Sequence, residues 1–178
     1  MKIITFGASN SKNSINQQLA KYVANQFPAA TVDLLDLNDY ELPIYGIDRE
    51  KASGVPEAAI AFYEKIQSGD LVIISLAEHN GSYTAVFKNL LDWMSRHEVK
   101  VFGEKRLFLL STSPGAMAGK FVMDAALTRF PRHGAEIVAH FSLPSFSENF
   151  DPEKGIKNEA LSEELRVKIK TTTELLEV

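Results

Sequence analysis

The sequence predicts an α/β fold in three layers: five parallel strands in the order 2-1-3-4-5, with helices on both faces of the sheet. Three observations carry this. Short apolar runs rich in β-branched residues alternate with longer stretches whose apolar residues recur three and four apart, the signature of βαβ units. Asp70-Leu71-Val72-Ile73-Ile74-Ser75 is apolar on both faces, as expected for a strand at the centre of a covered parallel sheet. A length of 178 residues with 45% hydrophobic content suits one compact domain over residues 1–178.

Taken in order, Ile3-Ile4-Thr5-Phe6 is the first strand, and a helix follows from Ser14 with Ile15, Leu19, Tyr22, Val23 and Phe27 on one side until Pro28 ends it. Thr31 to Asp36 is the second strand, turning at Asp36-Leu37-Asn38-Asp39. Leu42 to Pro56 carries two prolines and two glycines without a sustained period, which predicts a rim loop. Pro56 stands where a first helical residue belongs, ahead of a helix to Ser68 that buries Ala59, Phe62, Tyr63 and Ile66. Asp70 to Ser75 is the core strand, Leu76 to Tyr83 a turn, and Thr84 to Arg96 a helix on whose border Trp93 is half-buried. Leu107 to Ser111 is the fourth strand, Thr112 to Gly119 a small-residue turn, and Lys120 to Phe130 a helix. Ile137 to Phe141 is the fifth strand, Ser142 to Asn158 a loop, and a last helix from about Ser162 turns Leu165, Ile169, Thr172 and Leu176 inward.

Composition excludes several function classes. A net charge of -4 lacks the basic stripe of a general nucleic-acid binder. The absence of cysteine removes disulfides, thiolate zinc sites and iron–sulfur ligation. No run reaches the length of a membrane span, and Met1 to Phe6 is too short for a signal-peptide core, so a cytoplasmic protein without nucleic-acid or membrane partners is expected. His97, His133 and His140 have no metal-ligand spacing, and the chain lacks Gly-x-Ser-x-Gly.

Chemistry concentrates in the turn Gly7-Ala8-Ser9-Asn10-Ser11-Lys12-Asn13-Ser14-Ile15-Asn16. A strand that runs through a small, hydroxyl-rich turn into a helix N-terminus leaves backbone N–H groups converging on one spot, where an anion is favoured. Ser9, Ser11 and Ser14 add hydroxyls, Asn16 an amide and Lys12 a charge. An N-cap at Ser14 accounts for one serine and not for three. Neither G-x-G-x-x-G nor a Walker loop is present, which favours a single phosphomonoester over a dinucleotide or a nucleoside triphosphate. The turns after strands one, three and four fall on the carboxyl edge of the sheet and converge on one crevice. Ala77-Glu78-His79-Asn80-Gly81 offers a flat surface for a planar heterocycle, and the third turn can close over it without steric bulk.

Ser9-Asn10-Ser11-Lys12-Asn13-Ser14-Ile15-Asn16 resembles the phosphate loop of the NAD(P)H-dependent FMN reductases, and Glu78-His79-Asn80-Gly81-Ser82 with Phe87 to Trp93 resembles that family's flavin loop and the helix after it. Gly115 and Gly119 extend the match through the fourth helix. The resemblance implies a flavodoxin-like fold binding FMN: Ser9, Ser11, Ser14, Ile15 and Asn16 hold its phosphate, Ala77, Glu78, His79, Asn80 and Gly81 flank its ring, and Ser113, Pro114 and Gly115 close over it. An arginine often found in the family's phosphate loop is Ser11 here, and the Pro and Tyr common in its flavin loop are Ala77 and His79. The implied activity is hydride transfer from NAD(P)H to the flavin, which needs no protein acid or base, and then electron transfer onward to a quinone, azo compound, free flavin or metal oxyanion. The resemblance further implies a dimer or tetramer, with the rim loop and the helix bearing Trp93 at the interface. A flavodoxin-type electron carrier, which binds FMN without oxidising NAD(P)H, is the competing expectation.

Overall fold

The computed structural model describes residues 1–177. Its main sheet has five parallel strands: β1 (Lys2–Gly7), β2 (Thr31–Leu34), β3 (Leu71–Leu76), β6 (Arg106–Thr112) and β7 (Glu136–Leu143), in the order β2-β1-β3-β6-β7. This is the 2-1-3-4-5 order read from the sequence, since β4 (Glu78–His79) and β5 (Ser82–Tyr83) form a separate hairpin. Strand register alternates side chains between two cores. Ile4, Phe6, Val72, Ile74, Leu107 and Leu109 pack under α3 (Glu57–Gln67), α4 (Ala85–His97) and α5 (Lys120–Arg129). Ile3, Leu71, Ile73, Phe108 and Leu110 pack under α1 (Ile15–Ala24) and α7 (Glu159–Leu176). Every residue of β3 is buried, as its two-faced apolar run requires.

Several boundaries differ from the sequence expectations. The second strand stops at Leu34 because Asp36 caps a short 3-10 turn by accepting from the Asn38 N–H at 2.9 Å. The first helix ends at Ala24 rather than running to Pro28, and α7 starts at Glu159, where the Asn158 side chain accepts from the Leu161 N–H. Pro56 is the N-cap of α3, outside the helix, and not its first residue. The rim segment is not wholly loop: α2 (Ile47–Ser53) lies within it and buries none of its side chains. It is held from outside, by Asn89 accepting from the Tyr45 N–H at 2.8 Å, by the Trp93 indole N–H donating to the Pro43 carbonyl at 2.7 Å, and by Arg96 facing Glu50 at 3.5 Å. Trp93 is therefore fully buried within the chain, 0% exposed, and has no surface left to offer a partner. The segment 142–158 likewise contains a helical turn, α6 (Phe146–Asn149), and a hairpin of β8 (Phe150–Asp151) and β9 (Gly155–Ile156). No helix among the described residues is long and apolar enough to cross a membrane.

Tyr83 introduces an alkaline sensitivity. Its ring stacks on Phe130 at 5.9 Å between centroids, and its hydroxyl is buried without a hydrogen-bond partner among the described residues. Burial pushes this phenol up to about 12 from its ordinary 10. The unfolded chain releases the Tyr83 proton near pH 10 while the folded chain keeps it, so stability falls as pH rises from 10 towards 12. Tyr83→Phe removes both the orphan hydroxyl and this contribution. Urea denaturation at pH 7 should show a gain of about 1 kcal/mol, and the alkaline fall should shrink to what Tyr40 and Tyr63, raised by burial, and Tyr45, raised by its hydrogen bond to Glu50, maintain.

Candidate functional site

At the carboxyl edge of the sheet the turns after β1, β3 and β6 enclose a cleft of about 210 Å³. The first turn contributes Ser9, Ser11, Asn13, Ser14, Ile15 and Asn16, the second Ala77, Glu78 and His79, and the third Thr112, Ser113 and Pro114. Ten of the thirteen residues singled out in the sequence thus line one cleft, while Asn80, Gly81 and Gly115 stand at its margin. Asn13 and Thr112 were missed, although both sit inside turns the sequence marks. A larger depression of about 560 Å³ at the opposite edge, lined by Asp70, Glu104 and Arg106, lies away from these turns.

The first turn is shaped by how close α1 comes to β1. A Cβ on Gly7 would stand 2.5 Å from the backbone nitrogen of Gln17, so only glycine lets the helix start there. The Gln17 amide then binds both strand ends, accepting from the Gly7 N–H and donating to the Leu35 carbonyl at 2.9 Å. Ser14 caps α1, its hydroxyl oxygen accepting from the Gln17 N–H at 3.1 Å, which leaves its O–H free to donate. The backbone N–H groups of Ile15 and Asn16 have no acceptor among the described residues and lie at the positive end of the helix dipole. Ser9 accepts from the Ser11 N–H at 3.2 Å, and Ser11 is exposed. Replacing Ser14 by alanine should cost about 1 kcal/mol in urea denaturation, and loss of its donor should also weaken phosphate binding in the cleft.

The Asn16 side chain does something the sequence reading did not foresee. It is 3% exposed and faces inward, donating to the Thr112 carbonyl at 3.1 Å while its oxygen accepts from the Ser75 hydroxyl at 2.8 Å and the Thr112 N–H at 3.1 Å. One amide therefore fastens the first turn to the ends of β3 and β6, and only its backbone N–H is left for a ligand. The second turn is tied in by Thr84, the α4 cap, whose hydroxyl donates to the Ala8 carbonyl at 2.8 Å.

The second turn is a hairpin with Asn80 and Gly81 at its tip, φ +52° and +73°. Two positive φ values in a two-residue loop match the turn that Asn-Gly favours. Glu78 leaves the hairpin to accept from the Val122 N–H at 2.9 Å, capping α5, whose own N-cap is the side-chain-less Gly119. The third turn is anchored by α6: Ser145 and Phe146 donate backbone N–H groups to the carbonyls of Gly115 and Ser113 at 3.0 and 3.1 Å. A Cβ on Gly115 would meet nothing within 4 Å, so this margin is open. A cleft with free N–H and O–H donors at one end and a flat hairpin at the other fits a phosphorylated planar heterocycle.

A family model described as NADPH-dependent FMN reductase matches residues 1–148. A 2-hydroxy-1,4-benzoquinone reductase from a Burkholderia species is 36% identical over 119 residues, covering 66% of this chain and 63% of that enzyme. An NAD(P)H-dependent FMN reductase of Pseudomonas aeruginosa is 30% identical over 122 residues, covering 68% of this chain and 62% of that protein. Each match thus takes in a little under two thirds of the relative's own length. In fold, the chain resembles the flavoenzyme NAD(P)H:(acceptor) oxidoreductase FerB of Paracoccus denitrificans, with a TM-score of 0.77, 21% identity, and coverage of 99% of this chain and 97% of that one.

Proposed function

This chain belongs to the NADPH-dependent FMN reductase family, and from that premise we propose that it is an FMN-containing oxidoreductase that passes electrons from NAD(P)H to a small-molecule acceptor in a ping-pong cycle. The observation that carries the proposal is the convergence of three turns on one cleft whose donors are left unpaired by the fold itself. The hydroxyls of Ser9, Ser11 and Ser14 and the backbone N–H groups of Ile15 and Asn16 would hold the FMN phosphate. Ala77 to Gly81 and Ser113 to Gly115 would flank the ring. When bound, the flavin supplies hydride acceptance and onward electron transfer.

The chain's own contribution is binding and orientation. Backbone donors fixed by turns need no reorganisation when negative charge gathers near them, which is where their stabilising effect lies. Glu78 is engaged with the Val122 N–H, so no general base is assigned to it. The whole chain is read as one cytoplasmic flavin-binding domain that assembles as a dimer or tetramer. Light scattering should therefore return at least twice the 19.8 kDa chain mass, and a monomer would contradict the assembly.

Initial rates with NADPH and a quinone both varied test the activity. Parallel reciprocal lines are expected, and intersecting lines would rule out a ping-pong cycle. A holoprotein that consumes no NADPH without a separate reductase would be an electron carrier of the flavodoxin type instead.

A further inference from the structure

Ten of the eleven phenylalanines are buried, and Phe121 alone is not, at 53% exposed. It stands at the start of α5, directly beside the flavin hairpin: a Cβ on Gly81 would lie 4.0 Å from that of Phe121. The bond from the Val122 N–H to Glu78 ties this helix start to the hairpin, so the ring is carried on a fixed support. Met117, in the third turn, is also exposed, at 54%, and no residue from Thr112 to Gly119 is charged. The charges nearby are satisfied locally, Lys120 by Asp124 at 2.8 Å and Glu78 by the helix N-terminus.

We propose that Phe121, supported by Met117, is the residue that determines acceptor specificity, presenting an aromatic face to a planar, uncharged second substrate of the quinone class as it enters over the hairpin. The proposal rests on the reading above that the hairpin flanks the flavin ring. Exposed apolar side chains at the lip of a binding groove mark a surface that a ligand covers. A planar ring gains from stacking or edge contact with Phe121, whereas a hydrated metal oxyanion gains nothing from an uncharged lip. Phe121 adjoins Gly81, two residues from His79 in the cleft wall, and this adjacency to the cleft favours a small acceptor over a second copy of the chain.

The test compares the FMN-loaded wild type with Phe121→Ala and Phe121→Trp, using 1,4-naphthoquinone and ferricyanide as acceptors. Phe121→Ala should lower the ratio of kcat/KM for naphthoquinone over ferricyanide about tenfold, mainly through KM, and Phe121→Trp should keep it. An independent binding readout is 1-naphthol, a planar ring without quinone carbonyls, titrated against the visible absorption of the oxidised flavoprotein. Its dissociation constant should rise about tenfold in Phe121→Ala. Equal losses on both acceptors, an unchanged ratio, or a changed assembly state on light scattering would each overturn the proposal, the last by assigning the surface to contact between copies. A wild type that retains no flavin would show the underlying reading to have failed, a result distinct from a flavin-loaded wild type whose Phe121→Ala variant treats both acceptors alike.

Discussion

Gly7→Ala should lower the thermal midpoint by roughly 10 °C, corresponding to about 3 kcal/mol in a chain of this size, and should abolish FMN retention. The added methyl would sit 2.5 Å from the Gln17 nitrogen, 2.8 Å from its Cα and 2.9 Å from the Asn16 carbonyl carbon. All three are backbone atoms of the first turn of α1, so no rotamer change relieves the clash and the helix must retreat from the strand. Its retreat carries away the N–H groups of Ile15 and Asn16, and it breaks the paired hydrogen bonds of the Gln17 amide to Gly7 and Leu35. Differential scanning calorimetry and flavin fluorescence would check both effects. A midpoint within about 2 °C of wild type would mean that the strand end tolerates a side chain and that the close approach does not build the site.

Asn16→Ala should cost at least as much stability, for a different reason. The replacement leaves the Ser75 hydroxyl and both backbone groups of Thr112 without partners in a buried position. At about 1–3 kcal/mol for each buried group left unsatisfied, a loss near 4 kcal/mol is expected, among the larger effects of single replacements. Ser14→Ala, which removes one cap two residues away, should cost only about a quarter of this. Equilibrium urea unfolding of the two variants side by side is the measurement. Similar losses for both would show that Asn16 does not hold the sheet ends together.

What the sequence made legible follows from the range of the interactions involved. The core strand Leu71–Leu76 and its neighbours were readable because burial on both faces writes itself as a continuous apolar run. The three turns were readable because the chemistry of a parallel sheet puts them on one edge. The helix Ile47–Ser53 was not, since it buries no side chain and the segment that carries it is held at Pro43, Tyr45 and Glu50 by Trp93, Asn89 and Arg96, 44 to 50 residues away, which no local period records. The same contacts explain why Trp93 read as half-buried: its outer edge is covered by a segment that looked like open loop. The hairpin of Glu78–His79 and Ser82–Tyr83 was legible in principle through Asn80-Gly81, but two-residue strands are too short to alternate. Asn16 carried a different misreading. An amide in a phosphate-type turn suggests a ligand contact, whereas its partners, Ser75 and Thr112, lie 59 and 96 residues away.

The central claim is that the three turns build a flavin site that NAD(P)H reduces directly. The most direct test is the visible absorption spectrum of the purified protein after incubation with excess FMN and desalting, followed by NADPH without oxygen. Retained flavin bands near roughly 370 and 450 nm that bleach on NADPH addition are the expected result. A colourless protein, or a yellow one that NADPH leaves unbleached, would contradict it.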